Sequence, residues 1–181
     1  MNTAIGYKLF RVKKSEPGKI FPLYVFADRA IPIGEWLDAE DGPITENGKV
    51  KSRLGELAFR PGWHINDKVP YVEHIFSRHN GIKYLRDDCQ WYEVEYITDI
   101  NYQDEANEAG KNRSGKIVPV KAFLKHVPVN GFYRYKTTPM MYGEWIIAGS
   151  MRVIRAMSDD EVFELCSKYG LKSLPRYVSE P

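Results

Sequence analysis

A chain of 181 residues, 43% hydrophobic and 28% charged, has the length of one ordinary domain, and a domain of this size buries roughly 70% of its unfolded surface. Those proportions exclude a disordered chain, a collagen-like repeat and a membrane-embedded protein. The formal net charge of +2 does not by itself imply a polyanionic partner, whereas an aromatic content of 13%, with 12 Tyr, is high.

The first residues, Met1–Lys14, hold no apolar run long enough for a signal-peptide core, and no later span approaches the ~20 apolar residues of a membrane helix. Residues 7–12 alternate bulky and polar side chains as a strand does. Turn chemistry at Ser15–Lys19 then leads into a second run, Ile20–Phe26, so the pair is expected to form a β-hairpin with Pro22 pushing its second strand to a sheet edge. A short helical turn is expected at Gly34–Asp38, and the polar stretch of about 41–53 reads as an exposed loop.

Leu57–Ile65 is strand-like but broken by Pro61-Gly62, a sharp turn that presents Trp63 and His64 at its exit. Pro70 opens an expected short helix through Phe76, since Pro suits a first helical position. Gln90–Ile97 is the clearest strand of the middle region, with Trp91, Glu93 and Glu95 on one face and Tyr92, Val94 and Tyr96 on the other. A helix over Tyr102–Ala109 is expected to stop at Gly110, before a basic loop of about 110–116. Phe132–Lys136, Glu144–Ala148 and Met151–Arg155 are strand candidates. Ser158-Asp159-Asp160-Glu161 has the form of a capping box and starts a helix through Tyr169, with Gly170 as its stop.

Chemistry-bearing motifs are few. Two distant cysteines, Cys89 and Cys166, do not make a disulfide framework, which points to a reducing, intracellular setting. Cys166 reads as a small core residue, and the acidic neighbours of Cys89 disfavour a thiolate. His64, His74, His79 and His126 lack metal-ligand spacing, so no metal is expected. Phosphate-cradling glycine loops and a serine nucleophile elbow are absent from the sequence. Basic residues recur at Lys49, Lys51 and Arg53 and at Lys111, Arg113 and Lys116, either as solvated loop charge or as a nucleic-acid contact.

Two stretches are unusual. In Arg60-Pro61-Gly62-Trp63-His64 a flat apolar surface lies beside a group that ordinarily titrates near neutrality. The pair is either a site or a core anchor with His64 bonded to a backbone carbonyl. In Gly143–Gly149, Glu144 stands at the mouth of an apolar strand, either exposed at the sheet end or desolvated.

Gly34–Glu40, Phe59–His64 leading into Pro70 and His74, and Trp91–Glu95 followed by Gly143–Gly149 occur in an order that resembles an uncharacterised family encoded by bacteriophages, prophages and mobile elements. That family also occurs as a module of very large phage and plasmid proteins. The resemblance spans nearly the whole chain and implies a phage-type protein of the host bacterial cytoplasm. More distantly, the chain resembles ADP-ribosyltransferases, whose first strand bears an Arg or His and whose catalytic Glu precedes two closing strands. That resemblance pairs Arg11 with the first element, Gly62-Trp63-His64 with the middle turn and Glu144 with the last. The Ser-Thr-Ser element of those enzymes is missing, Arg11 is followed by Val12 instead of Gly, and no second acidic residue stands two positions before Glu144.

The expectation is therefore a single α+β, strand-rich domain over residues 1–181, with an ADP-ribosyltransferase-like split sheet, short helices and a C-terminal helix. The resemblance implies NAD as cofactor, with Glu144 and His64 catalytic and Arg11, Trp63 and Tyr71 holding the cofactor. It leaves open an NAD-dependent transferase or a nucleotide-binding relic. The rival is a non-catalytic module that captures a host protein, such as a defence factor, or nucleic acid, without a membrane role; Tyr and Trp are typical interface anchors.

Overall fold

Thr3–Val12 alternates across the pleat as its sequence requires and forms the central strand, β1, of a computed structural model that describes residues 1–177. After it come β2 (Ile20–Phe21), β3 (Trp36–Asp38), β4 (Val50–Ser52), β5 (Gly55–Leu57), β6 (Trp63–Asn66), β7 (Ser77–His79), β8 (Ile82–Tyr84), β9 (Cys89–Ile97) and β10 (Ile100–Asn101). The remainder comprises α1 (Gln103–Ala109), β11 (Gly131–Tyr135), β12 (Trp145–Ala148), β13 (Ser150–Ala156) and α2 (Asp159–Lys168). The main sheet runs β10-β11-β12-β6-β1-β9-β13-β3, with β2 added beside β1. Among the described residues of this sheet only β10 and β11 pair in parallel, so the sheet is mixed and the fold is strand-rich α+β. Two small hairpins, β4–β5 and β7–β8, lie outside it.

Apolar side chains fill both faces of this sheet. Phe10, Ile65, Tyr92, Val94, Tyr96, Ile146, Met151 and Val153 make one cluster. Leu9, Cys89 and Trp91 pack on the other face with Val69, Val72, Ile75, Met157 and the Val162 and Cys166 stripe of α2. A third cluster joins Ala106 of α1 to Val127, Tyr133 and Ile147. The alternation of β9 is as its sequence indicates, and Glu93 and Glu95 end in ion pairs with Arg155 and Arg152 of the neighbouring β13. The capping box of α2 is formed: Ser158 Oγ accepts the Glu161 amide, and the Glu161 carboxylate accepts the Ser158 amide. Cys166 is fully buried, and Cys89 is buried with its thiol pushed up to about 12 by desolvation and by the adjacent Asp88.

Some expected elements differ. Gly34–Asp38 is no helical turn: Trp36–Asp38 extends as the edge strand β3 against β13, because pairing with a free sheet edge outweighs a weak local preference. Pro70–Phe76 is irregular. Seven residues offer little hydrogen bonding to offset helix nucleation, and Val72 and Ile75 reach the core without it. The second hairpin strand stops at Phe21, since Pro22 has no amide to give the ladder.

The feature that positions everything below is a split beside the central strand. β1 and β9 stay in register over nine pairs, from Thr3 opposite Ile97 to Arg11 opposite Cys89. Between β1 and β6 there is a single pair, Tyr7 opposite Asn66. Gly6 permits that one close approach, because a Cβ there would meet Ile65 Cγ2 at 2.4 Å and the Asn66 carbonyl oxygen at 3.0 Å. Beyond Tyr7 the strands part.

A candidate anion-binding cleft

Where β1 and β6 part, a cleft of about 670 Å³ opens. Lys8 and Leu9 line it from β1, and Arg60–His64 and Asn66 line it from β6 and the turn before it. Its outer walls are the 22–42 segment, including Trp36, and the Tyr135–Trp145 region.

Three cations stand in this lining; Arg29 is paired with Glu40 at 2.7 Å, which leaves Lys8 and Arg60. The Lys8 ammonium donates to the His64 carbonyl oxygen at 2.7 Å, bridging the strands where the ladder lapses. Burial drives its pKa down to about 8. Arg60 is fixed more elaborately. Its Nη1 donates to the Ala122 carbonyl oxygen and, at 2.9 Å, to the Tyr133 hydroxyl, while the guanidinium lies 3.4 Å from the Tyr135 ring centroid. Among the described residues neither Lys8 nor Arg60 pairs with a carboxylate, although twelve ion pairs form, Arg29 with Glu40 in the cleft's outer wall among them. Arg60 Nε and Nη2 have no protein acceptor among those residues.

Three tryptophans add flat apolar surface: Trp36, Trp63 and Trp145. The Trp63 indole donates to the Leu37 carbonyl oxygen at 2.9 Å and the Trp145 indole to Thr137 Oγ1 at 2.8 Å, so both rings are held in place. His64 packs edge-on to Trp145, with ring centroids 6.1 Å apart. Its Nδ1 lies 3.2 Å from the Gly62 carbonyl oxygen, so a neutral ring protonated there donates to that carbonyl and leaves Nε2 as an acceptor.

Of the residues singled out in the sequence, Trp63 and His64 line the cleft and the other three do not. Arg11 is a structural clamp: its guanidinium donates to the Ala27 carbonyl oxygen, lies 3.6 Å from Asp28 and holds the 22–28 loop against β1. Its side chain is only 13% exposed, and Nε is buried without a partner. The Tyr71 ring meets Tyr142 edge-on and packs with the core cluster of Trp91 and Val162, while its carbonyl accepts the Asn66 amide at 2.8 Å. Glu144 precedes β12, and strand alternation sets it with Ile146 on the face opposite Trp145 and His64. There it contributes to the field on Arg134, which is bonded to Asp67. Arg11, His64 and Glu144 therefore do not converge.

His64 also differs from its expected behaviour near neutrality. Desolvation, reinforced by the Lys8 and Arg60 charges and opposed by the Gly62 hydrogen bond, lowers its pKa from 6.5 to about 3. The ring stays neutral at neutral pH. Between pH 6.5 and about 3 the unfolded chain takes up a proton that the folded chain refuses, so stability falls as pH drops through that window and is unaffected by this group above it. In urea titrations, His64→Gln is expected to lose about 1–2 kcal/mol less than the wild type between pH 7 and pH 4.5, after allowance for partial exposure. Parallel losses in the two proteins would contradict the shift.

Lys8 and Arg60 are cleft-lining cations that sequence reasoning did not assign to a site. Arg60 lies inside the Arg-Pro-Gly-Trp-His run, which was the available signal. Lys8 occupies a polar position of an alternating strand and becomes interior only because that strand is central. No family model matches the chain, and no curated protein or solved structure matches it either. Among the described residues no helix is long and apolar enough to cross a membrane.

Proposed function

We propose that this chain is a nucleotide-binding module: the cleft between β1 and β6 takes a nucleoside diphosphate such as ADP, or the ADP half of NAD. The observation that carries the reading is the pair of cations, Lys8 and Arg60, without carboxylate partners in a cleft whose other walls are largely indole and aliphatic. A phosphate group would supply the missing counter-charge. An Arg already held by Tyr133 and Tyr135 loses little freedom in making a forked, charge-assisted contact. The indoles offer stacking faces for a base. A volume of about 670 Å³ is in the ordinary range for small-molecule sites.

The split beside β1 is compatible with a sheet of the ADP-ribosyltransferase kind, and an origin in a phage or mobile element belongs to the same proposal. The reading is capture and not transfer. Breaking the glycosidic bond of NAD calls for a carboxylate beside the developing positive charge, and Glu144 is not part of the cleft lining. Carboxylates in the cleft lining belong to its outer wall, Asp38, Glu40 and Asp41, and Glu40 is already bonded to Arg29 at 2.7 Å.

Isothermal titration with ADP, NAD and adenosine tests this. ADP is expected to bind with a dissociation constant of about micromolar order, weakening as salt rises. Adenosine, lacking phosphate, should bind at least about tenfold more weakly, as the loss of charged contacts requires. NAD should bind without release of nicotinamide. Absence of ADP binding at millimolar concentration, or equal affinity for adenosine, would overturn the reading.

A further inference from the structure

We propose that Lys8 captures carbonyl compounds covalently, as an imine, so that the cleft also takes phosphorylated aldehydes. The inference deepens the proposed function and rests on it for the phosphate-binding part. Most lysines sit at the surface as strongly hydrated ammonium groups. Lys8 is set in the wall of a cleft, between two strands, with one protein acceptor, the His64 carbonyl oxygen at 2.7 Å. A carbonyl acceptor does not hold the amine in its charged form as a carboxylate would. The His64 ring is neutral and supplies no charge of either sign there. With its pKa at about 8, Lys8 is about one-tenth free amine at pH 7, roughly a few hundred-fold more than an ordinary lysine.

The remaining parts of the cleft suit such a ligand. Arg60 offers a fixed guanidinium for a phosphate, and the indoles of Trp63 and Trp145 offer walls for a ring. In the reaction the Lys8 Nζ lone pair forms a bond to the carbonyl carbon while the π pair of the C=O bond moves to oxygen. One amine proton passes to that oxygen, giving the carbinolamine. Its C–O bond then breaks, and hydroxide leaves as water with the second amine proton as the C=N bond forms. One amine and one aldehyde give one imine and one water, with no oxidant or reductant.

Pyridoxal phosphate joins an aldehyde, an aromatic ring and a phosphate, and serves as the probe. The full-length chain is incubated with it at pH 7 in the presence and absence of excess ADP, reduced with borohydride and mapped by peptide mass spectrometry. The expected result is a stable secondary amine on Lys8 at a level at least about tenfold above that of any other lysine, following its larger free-amine fraction. Excess ADP should suppress it, and the Lys8→Arg variant, checked for cooperative unfolding, should lack it. Modification spread over surface lysines with no preference for Lys8 would overturn the proposal. If ADP stabilises the wild type while Lys8 stays unmodified, imine formation falls and nucleotide binding stands; if neither occurs, both fall. The wild-type map decides the matter even if Lys8→Arg does not fold.

Discussion

Gly62→Ala is expected to destabilise the chain by about 2–6 kcal/mol, enough to unfold much of it at equilibrium. Gly62 has φ of 110°, a conformation that an L side chain rarely adopts. A Cβ there would lie 2.5 Å from Ile147 Cγ2 and 3.2 Å from Val127 Cγ2, both in the cluster that packs β12 against α1. Ile147 is wholly buried and has nowhere to move. Backbone strain and overpacking therefore act together. Gly18→Ala separates them: it too has positive φ, 82°, but nothing lies within 4 Å of its Cβ position. That variant should lose only about 1 kcal/mol. Urea unfolding of both variants measures the difference, and similar losses would show that the close approach to Ile147 contributes nothing. The consequence reaches function, because Gly62 sets the turn that carries Arg60 on one side and Trp63 and His64 on the other.

Arg60→Glu is expected to abolish nucleotide binding, with a loss of about 2–5 kcal/mol, or roughly 30- to several thousand-fold in affinity. It replaces the fixed cation with a like charge facing the phosphates. Arg60→Lys should recover only part of the affinity, since an ammonium cannot fork to two phosphate oxygens or stack on Tyr135 as the guanidinium does. Arg60→Glu also loses the bond to the Tyr133 hydroxyl, which is fully buried. Each variant's unfolding midpoint without ligand must accompany the titration. Equal ADP affinity in Arg60→Glu and the wild type would remove Arg60 from the site.

How much of this was legible in the sequence differs from element to element. Where the controlling interaction is local, the reading follows directly. Ser158 and Glu161 bond one another across three residues, and the alternation of β9 states which side chains face which way before any partner strand is known. Where a distant strand decides, local signals mislead. Trp36–Asp38 resembles a turn until β13 offers it an edge, and Val72 and Ile75 have helical spacing but are drawn individually into the core. The site shows the same division. Trp63 and His64 could be placed at a turn exit because Pro61-Gly62 dictates that turn. Arg11 and Glu144 needed strand order and parity: one proves to clamp Ala27, and the other belongs to the face of Ile146. Lys8 is the converse case. It holds a polar position of an alternating strand, and the neighbours of β1 on both sides make it interior. The split itself has one sequence-level trace, the glycine at position 6, whose meaning depends on Ile65 and Asn66 lying against it.

A crystal structure of the chain with ADP tests the central claim most directly. The account predicts the diphosphate between Lys8 and Arg60, within charge-assisted hydrogen-bond distance of both, and the adenine against an indole of the cleft. Density for ADP elsewhere on the molecule, or an empty cleft at saturating nucleotide, would contradict it.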